Sequence, residues 1–161
     1  MKQQLPIIGW REHLALPDLG IQEVKAKIDT GARSSALHAF DVEIFEDQGK
    51  RMVSFKVHPI QRDTSQTVTT VAELLDQRQV RNSGGQATVR PVILTTVELN
   101  FAAADSAKAN RWLIELTLTN RDVMGFRMLL GRQAVRQRFL VDAGKSYLHT
   151  STDSRKLKHK T

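Results

Sequence analysis

Residues 24–32 read VKAKIDTGA. Val24, Ala26 and Ile28 alternate with Lys25 and Lys27, the period-two pattern of a half-buried strand. That strand runs straight into Asp29-Thr30-Gly31-Ala32. The chemistry on offer is that of a positioned carboxylate. A strand end fixes where the acid sits, the Thr30 hydroxyl can hydrogen-bond across an interface, and Gly31 lets another backbone approach the carboxylate closely. A second signal lies far downstream, where Met128-Leu129-Leu130-Gly131-Arg132 reads as an apolar strand ending in glycine.

The elements that must hold these residues are mostly strands. Val53, Phe55 and Val57 alternate with Ser54 and Lys56, and Ile114, Leu116 and Leu118 alternate with Glu115 and Thr117. The run PVILTTVEL (91–99) is apolar or β-branched on both parities, as in a strand covered on both faces. Turn residues separate these runs at Pro17-Asp18-Leu19-Gly20, Asp47-Gln48-Gly49, Asn82-Ser83-Gly84-Gly85 and Asp142-Ala143-Gly144. A single short helix is expected, roughly Arg132 to Arg138, after Gly131. Residues 102–110 fit either a second short helix or a polar hairpin loop. The expectation is one all-β domain over 1–149, closed or sandwich-like, followed by a basic, disordered tail over 150–161.

The 161 residues are 40% hydrophobic, enough for a real core, and hold no cysteine, which excludes disulfides, thiolate metal sites and a cysteine nucleophile. No apolar stretch approaches a membrane span and no signal-peptide core opens the chain, so a soluble, cytoplasmic protein is expected. The formal charge is +7, of which the tail supplies +3 from four basic residues and one acid, leaving +4 on the body. Such a balance steers anionic partners.

Four segments carry a resemblance. AKIDTGARSSALHA (26–39), RNSGGQ (81–86), ELTLTNRD (115–122) and MLLGRQA (128–134) resemble the retropepsin-like aspartic proteases. They are most similar to one bacterial branch of that clan, which carries the label ATP-dependent zinc protease. The resemblance runs from about Ile7 to Leu148. It implies an acid-protease closed barrel in which the glycine turn at Gly131 packs beneath the Asp-Thr-Gly loop. Paired-aspartate chemistry needs two carboxylates, and each chain has one such loop, so the resemblance implies a homodimer with two Asp29 side chains around one water. Two such carboxylates share a proton because both cannot ionise at close range. The resemblance also implies bracing by Thr30, room made by Gly31, and a glycine-rich flap, for which Gly84 and Gly85 are the candidates.

Arginines surround these motifs. Arg33 follows Ala32 directly, Arg132 follows Gly131, and Arg81 and Arg90 flank the candidate flap. Guanidinium groups favour ionised carboxylates or grip them two-pronged. The resembling family often accompanies an ATP-grasp glutamate ligase, which implies glutamate-rich peptides or protein tails as substrate. The alternative is a non-catalytic module that binds acidic peptides on the same fold.

Other chemistries find less in the sequence. His13, His38, His58, His149 and His159 form no metal-binding motif, and neither zinc nor another cofactor is expected. Gly144-Lys145-Ser146 lacks the first glycine of a phosphate loop, so dependence on ATP would belong to a partner. Ser34 and Ser35 lack a nucleophile elbow and are expected in hydrogen-bonded turns. Trp10, Phe55, Phe101, Trp112 and Phe126 are spaced as core or interface residues. Nucleic acid is set aside as a partner, since no aromatic-basic stacking platform supports it.

Overall fold

The computed structural model describes residues 4–60, 64–81, 84–99, 110–120 and 125–149. Strands β1 (Ile7–Gly9), β2 (Arg11–Leu16), β3 (Ile21–Asp29), β4 (Ser35–His38), β5 (Phe40–Asp47) and β6 (Lys50–Val57) occupy the first part. They are followed by β7 (Val68–Arg81), β8 (Ala87–Leu99), β9 (Asn110–Thr119), β10 (Met128–Gly131), helix α1 (Arg132–Val135) and β11 (Leu140–Asp142). The main sheet runs in the order β2-β3-β10-β4-β9-β8-β7-β6-β5. Pairing of Ala15 on β2 with Glu98 on β8 closes its first six strands into a barrel.

The alternation expected from the sequence builds the barrel wall. Val24, Ala26 and Ile28 are buried while Lys25 and Lys27 are half-buried on the other face. Phe55 and its neighbours Val53 and Val57 are buried on β6, beyond the six closed strands. Ile114, Leu116 and Leu118 are buried on β9, where Thr117, expected on the polar face, is buried as well. The run 91–99 departs from its expectation. Val92 and Ile93 are both fully buried, yet Leu94 is 50% exposed, so two-sided cover ends there and the rest alternates. The cause is position: β8 lies in the wall of a barrel, with one face turned to solvent, and not in a sheet covered on both faces.

Turn chemistry is equally local. Gly20 closes the single-turn 3-10 helix Pro17–Leu19 with a φ of 71°. Gln48 and Gly49, both left-handed, join β5 to β6 with Asp47 opposite Lys50. Helix α1 is shorter than the segment 132–138 expected, ending at Val135 in a turn that carries Arg138. Residues 101–109 and 150–161 lie outside the described residues, and with them Phe101, the tail, and all but Asn110 of the segment 102–110. Trp112 and Phe126 are buried and Trp10 is half-buried.

One buried acid ties two segments far apart in the described chain to the barrel. Glu12 is fully buried, and its carboxylate accepts the N–H groups of Gly9 at 2.7 Å, Leu148 at 3.0 Å and His149 at 3.1 Å. Hydrogen bonds to three backbone donors offset the cost of desolvating the charge.

Candidate active site

Asp29 is the last residue of β3, and strand pairing sets it directly beside Gly131, the last residue of β10. The two strands run parallel, so both deliver their C-terminal ends to one place. The Asp29 Oδ1 atom accepts two backbone hydrogen bonds, from Gly31 at 3.0 Å and Ala32 at 3.2 Å. The turn thus folds its own backbone around one carboxylate oxygen and fixes the orientation of the group. A Cβ on Gly31 would stand 3.2 Å from that oxygen, so glycine keeps the turn open at the carboxylate.

The glycine turn after β10 locks this loop from beneath. The Gly131 N–H donates to Ser35 Oγ at 3.0 Å, and Ser35 is 2% exposed. The first N–H groups of α1 then bind loop carbonyls: Arg132 to Ala32 at 2.7 Å and Gln133 to Arg33 at 3.1 Å. The start of a helix has unpaired N–H groups to offer, and here the Asp29 loop supplies the acceptors. A Cβ on Gly131 would collide with the Ser34 carbonyl, so no other residue fits. Ser35 was legible only as a turn serine; its alternation with buried Leu37 was the available sign that it points inward.

The predicted site residues divide into two groups. Asp29, Thr30, Gly31, Ala32, Arg33 and Arg132 are brought together at the loop. Arg132 Nη1 reaches the Thr30 carbonyl at 3.2 Å, while the Arg33 side chain is exposed. Arg81, Gly84, Gly85 and Arg90 lie on the separate β7–β8 hairpin, with Gly85 at a φ of 81° beside its tip. The side chain of Arg81 lies outside the described residues. Arg90 stands opposite Arg78, whose guanidinium is held by Glu115 at 2.8 Å and Asp76 at 3.1 Å. Those carboxylates, Glu115 first, raise the Arg78 pKa above the ordinary arginine value. Among the described residues no group of three His, Cys, Asp or Glu side chains is placed to hold a metal ion.

With this geometry in place, the model of the RimB-like family, described as retropepsin-like aspartic endopeptidase RimB, matches residues 7–152. The chain belongs to the RimB-like family. Its fold is accordingly the retropepsin-like barrel, and the zinc-protease label of the resembling branch is not the name its relatives carry. A "Probable alpha-L-glutamate ligase" of Shewanella pealeana is 40% identical over 88% of this chain and 29% of its own length. One of Desulfotalea psychrophila is 43% identical over 84% of this chain and 28% of its own. The chain therefore spans under a third of these relatives. A crystal structure of a Legionella pneumophila protein of unknown function superposes with a TM-score of 0.71 at 25% identity. That match covers 90% of this chain and 98% of that one.

Proposed function

We propose that this protein is a homodimeric aspartic peptidase of the cytoplasm that hydrolyses acidic, glutamate-rich peptides or protein tails. The observation that carries the reading is the Asp29 carboxylate, held at a strand end by two backbone N–H groups through one oxygen. The second oxygen is left to a partner. Two Asp29 groups facing each other across a dimer axis would share one proton, since like charges at close range cannot both ionise. The ionised member takes a proton from water as that water attacks the scissile carbonyl. The protonated member donates its hydrogen bond to the carbonyl oxygen.

The outer edge of the molecule supports the dimer. Strands β1 and β11 form a separate two-stranded sheet, and its opposed residues Ile7 and Leu140 are 50% and 55% exposed. A two-stranded sheet is marginal alone and gains from added strands. The names of the relatives support the substrate. A segment like this chain forms part of proteins named for glutamate ligation, and the chain itself is basic. Arg33 and Arg132 at the loop, and Arg81 and Arg90 on the hairpin, are the proposed carboxylate contacts, with Gly84 and Gly85 in a covering flap.

Incubation with an α-linked oligoglutamate across a range of about pH 4 to 8 tests the reading by mass spectrometry. The wild type should shorten the peptide and Asp29→Asn should not, with both variants equally folded. Equal cleavage by Asp29→Asn would remove the mechanism. Tight binding without any cleavage would assign the fold to an acidic-peptide binding module.

A further inference from the structure

The outward face of β2 and β3 carries cations and aromatic rings that the chemistry above does not use. Lys25, Lys27 and Asp29 alternate with buried Val24, Ala26 and Ile28, so all three belong to one face of β3. On the neighbouring strand Arg11 stands opposite Lys27, and His13 stands opposite Lys25. Opposed residues of a ladder share a face. A basic row therefore leads along β3 to the Asp29 carboxylate.

Rings hold two of these cations in place. The Arg11 guanidinium lies 4.5 Å from the Trp10 ring centre and 4.9 Å from that of Tyr147. Its Nε donates to Ser146 Oγ at 3.1 Å. The Lys25 ammonium lies 5.0 Å from the Phe126 ring centre and 5.9 Å from that of Tyr147. Tyr147 also stacks on His13, with centroids 4.6 Å apart and planes at 16°.

The segment that brings Tyr147 here is locked. Its N–H donates to the Arg11 carbonyl at 2.9 Å, and the Trp10 N–H donates to the Lys145 carbonyl at 2.8 Å. A Cβ on Gly9 would collide with that same Lys145 carbonyl, so the approach requires glycine. Tyr147 itself sits at a φ of 55°, a strained conformation for a bulky residue. Strain of this kind persists only where the surroundings impose it. Among the described residues no carboxylate lies within ion-pair reach of Arg11 or Lys25. Glu23, on the same strand, is turned to His13 at 3.3 Å.

We propose that Arg11 and Lys25, with Lys27 beside Arg11 and between Lys25 and Asp29, form a docking subsite for the carboxylates of an acidic peptide. Its direction, toward Asp29, rests on the reading of Asp29 as the catalytic acid. Successive outward side chains of a strand stand about 6.6 Å apart, twice the rise per residue. An extended peptide repeats with the same spacing, so alternate glutamates match the row. Because rings, and for Arg11 also the Ser146 hydroxyl, already hold the two cations, less side-chain freedom remains to be lost when a carboxylate arrives.

The test uses the full chain carrying Asp29→Asn, so that bound peptide is not consumed, with fluorescent hexaglutamate followed by anisotropy. Lys25→Met and Arg11→Met should each weaken binding about tenfold, the loss of one charge-assisted contact. Lys25→Arg should restore it, and added salt should weaken the parent more than either Met variant. Equal affinity in the parent and both Met variants overturns the proposal, as does an absence of binding by the parent. Preferential, Arg11-dependent capture of an oligouridylate of equal charge also overturns it, by assigning the face to phosphates. Binding through this face, with no cleavage of the same peptide by the wild type, would defeat the peptidase reading alone. Cleavage with affinity indifferent to Arg11 and Lys25 would defeat the subsite alone.

Discussion

Asp29, Gly131 and Ser35 form one small machine for aiming a carboxylate. Asp29 takes its orientation from Gly31 and Ala32, and Gly131 takes its position from Ser35. A methyl group at Gly131 meets the Ser34 carbonyl, which is backbone and cannot rotate away. Gly131→Ala should therefore destabilise the fold by about 1–3 kcal/mol, read as a fall in urea midpoint, and should lower activity further by shifting the loop. Unchanged stability would show that the two turns are not packed as described. The Asp-Thr-Gly turn was legible in the sequence because its strand alternates and its glycine is local. Ser35 was not, because its partner Gly131 lies 96 residues away and nothing in a serine's neighbours names a distant N–H.

At the scale of elements, alternation carried most of the information. β3 and β6 follow it closely, whereas β9 alternates only as far as Leu116, beyond which Thr117 is buried like its neighbours. The ladder partners were not legible, since a period of two says which face a residue takes but not which strand lies beside it. Leu94 illustrates the limit: an apolar run looks the same in a covered strand as in a barrel wall. Glu12 was equally hidden, as an acid alternating among apolar residues on β2 whose three donors come from both ends of the described chain. Glu12→Ala should cost about 3 kcal/mol, since buried N–H groups lose their acceptor. Hydrogen exchange at the Leu148 and His149 amides should quicken markedly. If those amides keep their protection, the clamp is not what holds this segment.

For the whole molecule, the proposed paired-carboxylate chemistry makes assembly part of the function, because each chain has a single Asp-Thr-Gly. The exposed Ile7 and Leu140 pair on the β1–β11 sheet is the proposed interface and so the place to break it. Ile7→Asp with Leu140→Asp should leave the barrel folded and the protein monomeric by sedimentation, with peptidase activity lost. A dimer that survives both changes would place the interface elsewhere. The positive charge of the body was plain in the sequence. Its arrangement along Arg11, Lys25 and Lys27 needed the ladder, because Arg11 and Lys27 are distant in sequence and neighbours only in the sheet.

The most direct test of the paired carboxylates is to unfold and refold wild type with increasing shares of Asp29→Asn at fixed total protein, then measure oligoglutamate cleavage. If each active site needs Asp29 from both chains, activity falls as the square of the wild-type fraction. A linear fall would mean that each chain works alone, and would contradict the account.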